Sequence, residues 1–305
     1  MFNFAEKLLN MTIYPVSQVE SMTGIKAHTL RIWERRYQFL KPQRTETNIR
    51  YYSDEQLKKL INISILNRNG YRISKLDKMT EEDIHNKVSD ILNDSDKSLE
   101  DDIQGLTLAM LEMDEEKFNQ IYQGHIIRKG LLRTITDVIY PFLTHVGVLW
   151  ITNKTYPAQE HFITNLVRQK IISAIESYTR VPDGAPSIVL FLPDGENHEI
   201  GLLLSSFVAR DLGWKVYYLG QNVPREDIED VVELVQPKAL MTMLLAPRKD
   251  TRELIGELVQ CVNNIPLFMT GNPSFFEDIK SKGSIIFVNN PRQLEVELDK
   301  LSSWN

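Results

Sequence analysis

The sequence predicts a multidomain chain, α-helical at first and α/β towards its C-terminus. Three observations carry this. Short helical patterns with basic residues and a strand-like hairpin fill the first 80 positions. Three- and four-residue apolar spacing then runs from about 98 to 180. After about 183, five apolar runs alternate with helical stretches.

With 305 residues, 42% of them apolar, the chain is long enough for two or three cores. No apolar run approaches the roughly 20 residues of a membrane helix. The N-terminal "MFNFAEKLLNMTIYP" lacks the basic start and long apolar stretch of a secretory signal. Cys261 is the sole cysteine, which excludes an intrachain disulfide and a multi-thiolate zinc site. These points lead us to expect a cytoplasmic protein. The formal net charge is −6. Residues 26–75 nonetheless hold twelve Lys and Arg against Glu34, Glu46, Asp54 and Glu55, a net +8 that leaves −14 elsewhere. A basic module on an acidic protein suggests one part that meets phosphate.

In that module "VSQVESMTG" places Val16, Val19 and Met22 on one face and ends on Gly24. "KAHTLRIWERRY" follows after a short turn, with Leu30 and Trp33 able to face a core. "LKPQRTETNIRYYS" carries strand-like Ile49, Tyr51 and Tyr52 and suggests a small β-wing. "SDEQLKKLINISILNRNG" opens on a cap and closes on Gly70. Helix, turn, helix, wing, helix is a DNA-binding layout. The candidate DNA contacts are Arg31, Trp33, Arg35 and Arg36 of the second helix and Arg44, Arg50, Tyr51 and Tyr52 of the wing.

The polar, acidic stretch 81–97 reads as a linker with some helical content. Segments near 101–112, 114–127, 130–151 and 157–180 read as a four-helix bundle. "RVPDGAPS" marks a boundary. The strands "SIVLFL", "KVYYL", "KALMTMLL", "PLFMT" and "SIIFV" then alternate with helices near 199–212, 224–235, 248–262, 273–281 and 291–302. This predicts a parallel five-stranded, flavodoxin-like (Rossmann-like) sheet covered on both faces. The expected domains are 1–80 (winged helix-turn-helix), 81–97 (linker), 98–182 (bundle) and 183–305 (sheet domain).

The first strand leads into "PDGENHEIG", where such folds bind ligands. It has no G-x-G-x-x-G, which disfavours a dinucleotide, and no second His for a zinc-protease pattern. What remains is Glu196, His198 and Gly201 in the spacing E-x-H-x-x-G. A carboxylate that holds one imidazole nitrogen fixes the tautomer and makes the other a good metal ligand. A glycine at 201 lets a bulky group pass close to the helix start.

Two resemblances follow from these residues. "TGI", "TLRIWERRY", "IRYYS" and "LNRNGYRISKL" resemble the DNA-binding domain of MerR-type transcription regulators over about 65 residues. This implies a winged helix-turn-helix that binds DNA as a dimer. The loop motif resembles that of cobalamin-binding domains, which implies that His198 is the lower cobalt ligand. Thr242 and Leu244 then stand for an S-x-L pair, and Gly271 for the first of two glycines whose second is Asn272 here. In the bundle, Trp150, Glu160 and His161 of "VLWITNKTYPAQEH" resemble the W-x9-E-H cap of light-responsive, adenosylcobalamin-dependent repressors of MerR type. In those proteins Trp and Glu contact the upper adenosyl group. Ile151 stands where they have a second cobalt-binding histidine, so His145 and His161 are candidates for that role.

The reading is a non-enzymatic DNA-binding repressor that forms homo-oligomers and senses adenosylcobalamin, through light or cofactor loss. Two alternatives stay open. One is a regulator of the same architecture that does not use cobalamin. The other is a corrinoid carrier for a methyltransferase or mutase, which leaves the +8 module unexplained.

Overall fold

The computed structural model describes residues 13–45, 47–93, 98–151, 157–245, 251–261, 265–271 and 285–302. It divides into two compact units, Met1–Leu166 and Val167–Asn305.

The first unit opens with β1 (Ile13–Pro15), α1 (Val16–Thr23) and α2 (Ala27–Arg36). Gly24 ends α1 in the left-handed region, with φ 71° and its N–H bonded to the Glu20 carbonyl. Glu20 also accepts from the Ala27 N–H at 3.1 Å, which caps α2 across the turn. The wing is β2 (Gln43–Arg44) and β3 (Arg50–Ser53), and the antiparallel order is β1-β3-β2. Ser53 and Gln56 form a reciprocal cap on α3 (Asp54–Arg68), which carries buried Leu57, Leu60, Ile61, Ile63, Ile65 and Leu66. The short α4 (Ile73–Leu76) follows.

Residues 81–97, expected as a linker, contain a regular helix, α5 (Glu81–Asn93). Ile84, Val88 and Leu92 are buried at four-residue spacing, and α5 packs on α3. Within the helix, Glu81, Glu82 and Asp83 lie in the first turn and Asp90 is exposed, away from that apolar stripe.

The bundle helices are α6 (Leu99–Glu112), α7 (Glu115–Thr134), α8 (Tyr140–Ile151) and α9 (Pro157–Glu176). The break expected near 128–130 is a kink at Gly130 (φ 79°), and a π-helical turn at Ile135–Ile139 joins α7 to α8. Gln159 of α9 donates to the Leu111 carbonyl at 2.8 Å. The division at 166/167 falls inside α9 and not at the expected 182/183. The cause lies in the second unit, where Arg168 pairs with Glu199 at 2.8 Å and the Tyr178 ring packs edge-on to Phe207.

The second unit is β4 (Ser187–Pro193), α10 (Glu199–Asp211), β5 (Lys215–Val223), α11 (Arg225–Val235), β6 (Ala239–Leu244), α12 (Thr251–Cys261), β7 (Leu267–Gly271), β8 (Ile285–Phe287) and α13 (Pro291–Ser302). The strands are parallel, in the order β5-β4-β6-β7-β8. One face buries Val189, Phe191, Leu240, Leu244, Leu267 and Met269 against Ile228, Val232, Ile255 and Leu258 of α11 and α12. On the other, α10 packs with α13. The helix expected at 273–281 lies outside the described residues. The chain leaves β4 towards β5 on one side and later returns to β6 on the other. The loop after β4 therefore sits at the switch point, where no crossover helix covers the strand ends.

Candidate functional site

Two sites emerge, one in each unit. In the first, α2 presents Arg31, Arg35 and Arg36 to solvent, while Leu30 is buried. Trp33 and Tyr52, expected at the DNA face, are core residues. Trp33 is 8% exposed and meets Phe39 edge-on at 6.0 Å, and Tyr52 is fully buried. A helix three turns long buries one stripe, and Trp33 falls on that stripe with Leu30. Alternation along β3 sends Tyr52 inward and leaves Tyr51 at the surface, where its hydroxyl donates to Gln43 at 2.7 Å. Burial pushes the Tyr52 hydroxyl pKa up.

The wing arginines are engaged. Arg50 Nε donates to Glu34 Oε2 at 2.6 Å, and Arg44 Nη2 donates to Glu34 Oε1 at 2.9 Å. Burial alone would raise the Glu34 pKa, but Arg50 and Arg44 together hold it below the usual glutamate value. Asp77 accepts from the backbone N–H groups of Gln38 and Phe39 at 3.0 and 3.2 Å, which fixes the exit from α2. Exposed Arg72, Lys75 and Lys78 line an open cleft nearby in sequence, around α4. Sequence reasoning missed Glu34 and Asp77 as anchors. An acid set among arginines was the available signal for Glu34.

In the second unit, the β4–α10 loop is built around Glu196, which is fully buried. Its Oε1 accepts from the backbone N–H groups of Asn197 (2.9 Å) and His198 (3.1 Å) and from His198 Nδ1 at 2.5 Å. Its Oε2 accepts from the Leu245 N–H at 2.8 Å, at the end of β6. These N–H donors compensate a carboxylate withdrawn from water. With Nδ1 donating, the lone pair of the His198 ring lies on Nε2, and the side chain is 53% exposed. β5 braces the loop from the other side. Asn222, at φ 54°, accepts from the Gly195 N–H and donates to Asn197.

Gly201 is a matter of space: a Cβ there would lie 2.0 Å from the Met243 methyl carbon. Gly271 is demanded twice over, by φ 145° and by the Leu244 carbonyl oxygen 1.9 Å from where a Cβ would sit. Thr242 is fully buried, and its hydroxyl has no hydrogen-bond partner. Leu244 belongs to the apolar cluster under α11 and α12. Strand alternation puts Thr242 on that same face and Met243 on the α10 side. The structure thus brings together Glu196, His198 and the Leu245 N–H, and separates Gly201 from Thr242 across the sheet. Beside them Glu199 joins Arg168 and the Tyr218 hydroxyl, whose pKa is driven upward by burial and by Glu199.

In the bundle, Glu160 is mostly buried and pairs with His161 Nδ1 at 3.0 Å, while His161 is largely exposed. Trp150 and Ile151 lie in the last turn of α8, and their side chains are outside the described residues, as is Asn272. His145 is half-buried, and burial lowers its pKa.

Among the described residues, no group of three or more His, Cys, Asp or Glu is placed to hold a bare metal ion. A lone imidazole suits a metal that arrives with its other ligands in place. Cobalamin is such a group. His198 held by Glu196, and a buried Thr242 hydroxyl lacking a partner, fit it.

The arrangement is a winged helix-turn-helix followed by helices and a parallel five-stranded α/β sheet. Comparison with known proteins agrees. Residues 14–83 match the family described as MerR HTH family regulatory protein, and residues 102–173 match the B12 binding domain. It is 25% identical over 268 residues to the HTH-type transcriptional repressor CarH of Myxococcus xanthus, covering 85% of this chain and 88% of that protein. It is 26% identical over 244 residues to the repressor CarA of the same organism, covering 76% of this chain and 77% of CarA. The monomethylamine corrinoid protein of Methanosarcina barkeri shares the fold, with TM-score 0.52 and 16% identity over 64% of this chain and 96% of that one.

Proposed function

We propose that this chain is a cobalamin-sensing, DNA-binding transcription repressor that acts in the cytoplasm. The observation that carries the reading is the Glu196–His198 pair. It presents an imidazole at the switch point of a corrinoid-type sheet, in the same chain as a basic winged helix-turn-helix. The protein binds and orients its ligand and has no catalytic role. A corrinoid carrier is the weaker reading, because a carrier has no use for an arginine-rich recognition helix.

In this proposal His198 would offer Nε2 to the cofactor's cobalt, while Glu196 holds Nδ1 and so fixes tautomer and ring plane. Thr242 supplies a hydroxyl to the cofactor's buried tail, while Gly201 and Gly271 permit the close approaches of Met243 and of the Leu244 carbonyl. The form bound is adenosylcobalamin, which supplies a light-sensitive cobalt–carbon bond. Cofactor binding favours one homo-oligomer, and that oligomer has the higher affinity for operator DNA. Coupling of this kind requires that cofactor and DNA each prefer the same state.

Titrating the purified chain with adenosylcobalamin in the dark tests this. A base-off, histidine-bound visible spectrum is expected. His198→Ala should abolish that spectrum with unchanged circular dichroism, and Glu196→Gln should weaken binding by about 10–100-fold. No spectral change at cofactor excess would overturn the cobalamin assignment. Light scattering before and after illumination then reads the oligomer directly.

A further inference from the structure

We propose that Glu34 is a positioning residue that locks the wing to the recognition helix, and that it governs discrimination between DNA sequences more than the strength of phosphate attraction. The inference rests on the DNA-binding reading above. Arg44 and Arg50 are direct cross-strand partners in the β2–β3 pair. Like charges placed opposite each other destabilise a hairpin, and this hairpin has a two-residue strand on one side. Glu34 resolves the conflict from a different element. Each of its oxygens takes one of the two guanidinium groups, at 2.9 and 2.6 Å, and its side chain is 17% exposed.

The same contacts set geometry. Arg44 Nη1 also donates to Asn48 Oδ1 at 2.9 Å, and Asn48 sits in the wing turn with φ 64°. One carboxylate on α2 therefore ties together both wing strands and, through Arg44, the turn. Arg31, Arg35 and Arg36 project from the same helix. The distance between helix contacts and wing contacts is set where Glu34 grips the arginines. A negative charge on a phosphate-facing surface weakens general attraction. The register it imposes offsets that loss. Each guanidinium keeps further N–H donors beyond the one given to Glu34.

The test uses the full chain. A duplex is selected from a random-sequence pool by the wild-type protein, and a shuffled duplex of equal composition serves as reference. Glu34→Gln should bind the shuffled duplex more tightly and the selected duplex less tightly, so that the affinity ratio falls by about tenfold or more. Glu34→Asp keeps the charge and shortens the reach. It should lose the ratio without gaining affinity for the shuffled duplex. Without DNA, amide exchange across residues 43–52 should quicken in both variants. Equal shifts on both duplexes, with the ratio unchanged in both variants, would overturn the inference and leave the DNA-binding reading standing. Failure of the wild-type chain to enrich any duplex would remove both.

Discussion

Thr242 and Glu196 are opposite cases of a buried polar group in one sheet. Glu196 is surrounded by N–H donors from its own loop and from the end of β6. The Thr242 hydroxyl, equally buried, has no partner. An unsatisfied buried hydroxyl costs about 1–3 kcal/mol, and Val matches Thr in shape. Thr242→Val is therefore expected to raise the stability of the cofactor-free chain by about 1 kcal/mol in urea unfolding. The same change should weaken adenosylcobalamin binding if the hydroxyl serves the ligand. A variant that is less stable, or that binds equally well, would show that Thr242 has only a packing role. Residue identity made Glu196 and His198 legible in advance, because a carboxylate and an imidazole two places apart can meet within one loop. Trp33 and Tyr52 look like contact residues for a related reason, yet both are core. An aromatic in a basic motif looks available, and only its side of the helix or strand shows that it is core.

Between elements, the join of α3 to α6 depends on Arg68. Its guanidinium donates to Asp101 Oδ1 at 2.6 Å, to Glu100 at 3.1 Å and to Gln104 at 2.9 Å. Gln104 and Ser64 both donate to the Thr23 carbonyl at the end of α1. The winged elements and the first bundle helix are thus bonded through one polar network. Asp101 is 2% exposed, and its carboxylate also caps α6 through Ser98. Asp101→Ala is expected to lower stability by about 1–3 kcal/mol, less than for a fully enclosed pair because Arg68 retains some solvent contact. Burial by itself would raise the Asp101 pKa, but Arg68, Asn69 and Ser98 outweigh it and hold the group below its ordinary 3.8. Its contribution is therefore present above 3.8 and lost as pH falls through the depressed folded value. The melting-temperature gap between wild type and variant should close over that acid range. A constant gap would mean that the charge is not what holds the join.

For the molecule as a whole, charge separation is the feature with the broadest consequence. The net −6 conceals +8 in residues 26–75, and α2 carries part of that excess outward. DNA affinity should fall steeply with salt, and Arg31→Ala should lower the log–log salt slope by about 1. An unchanged slope would remove Arg31 from the interface. The sequence by itself determined the order of modules, the five parallel strands and the loop that carries the imidazole. These are set by local periodicity, turn residues and short-range spacing, which a linear reading contains. It did not determine that 81–93 is a packed helix, because the acids that suggest a linker occupy the solvent side of buried Ile84, Val88 and Leu92. Nor did it determine that Glu34 holds Arg44 and Arg50, that Arg68 joins α3 to α6, or that Leu245 closes the ring of donors on Glu196. Those partners lie from 10 to 49 residues apart. Tertiary structure decided them, because a buried or crowded charge takes whichever complementary group the packing brings within reach.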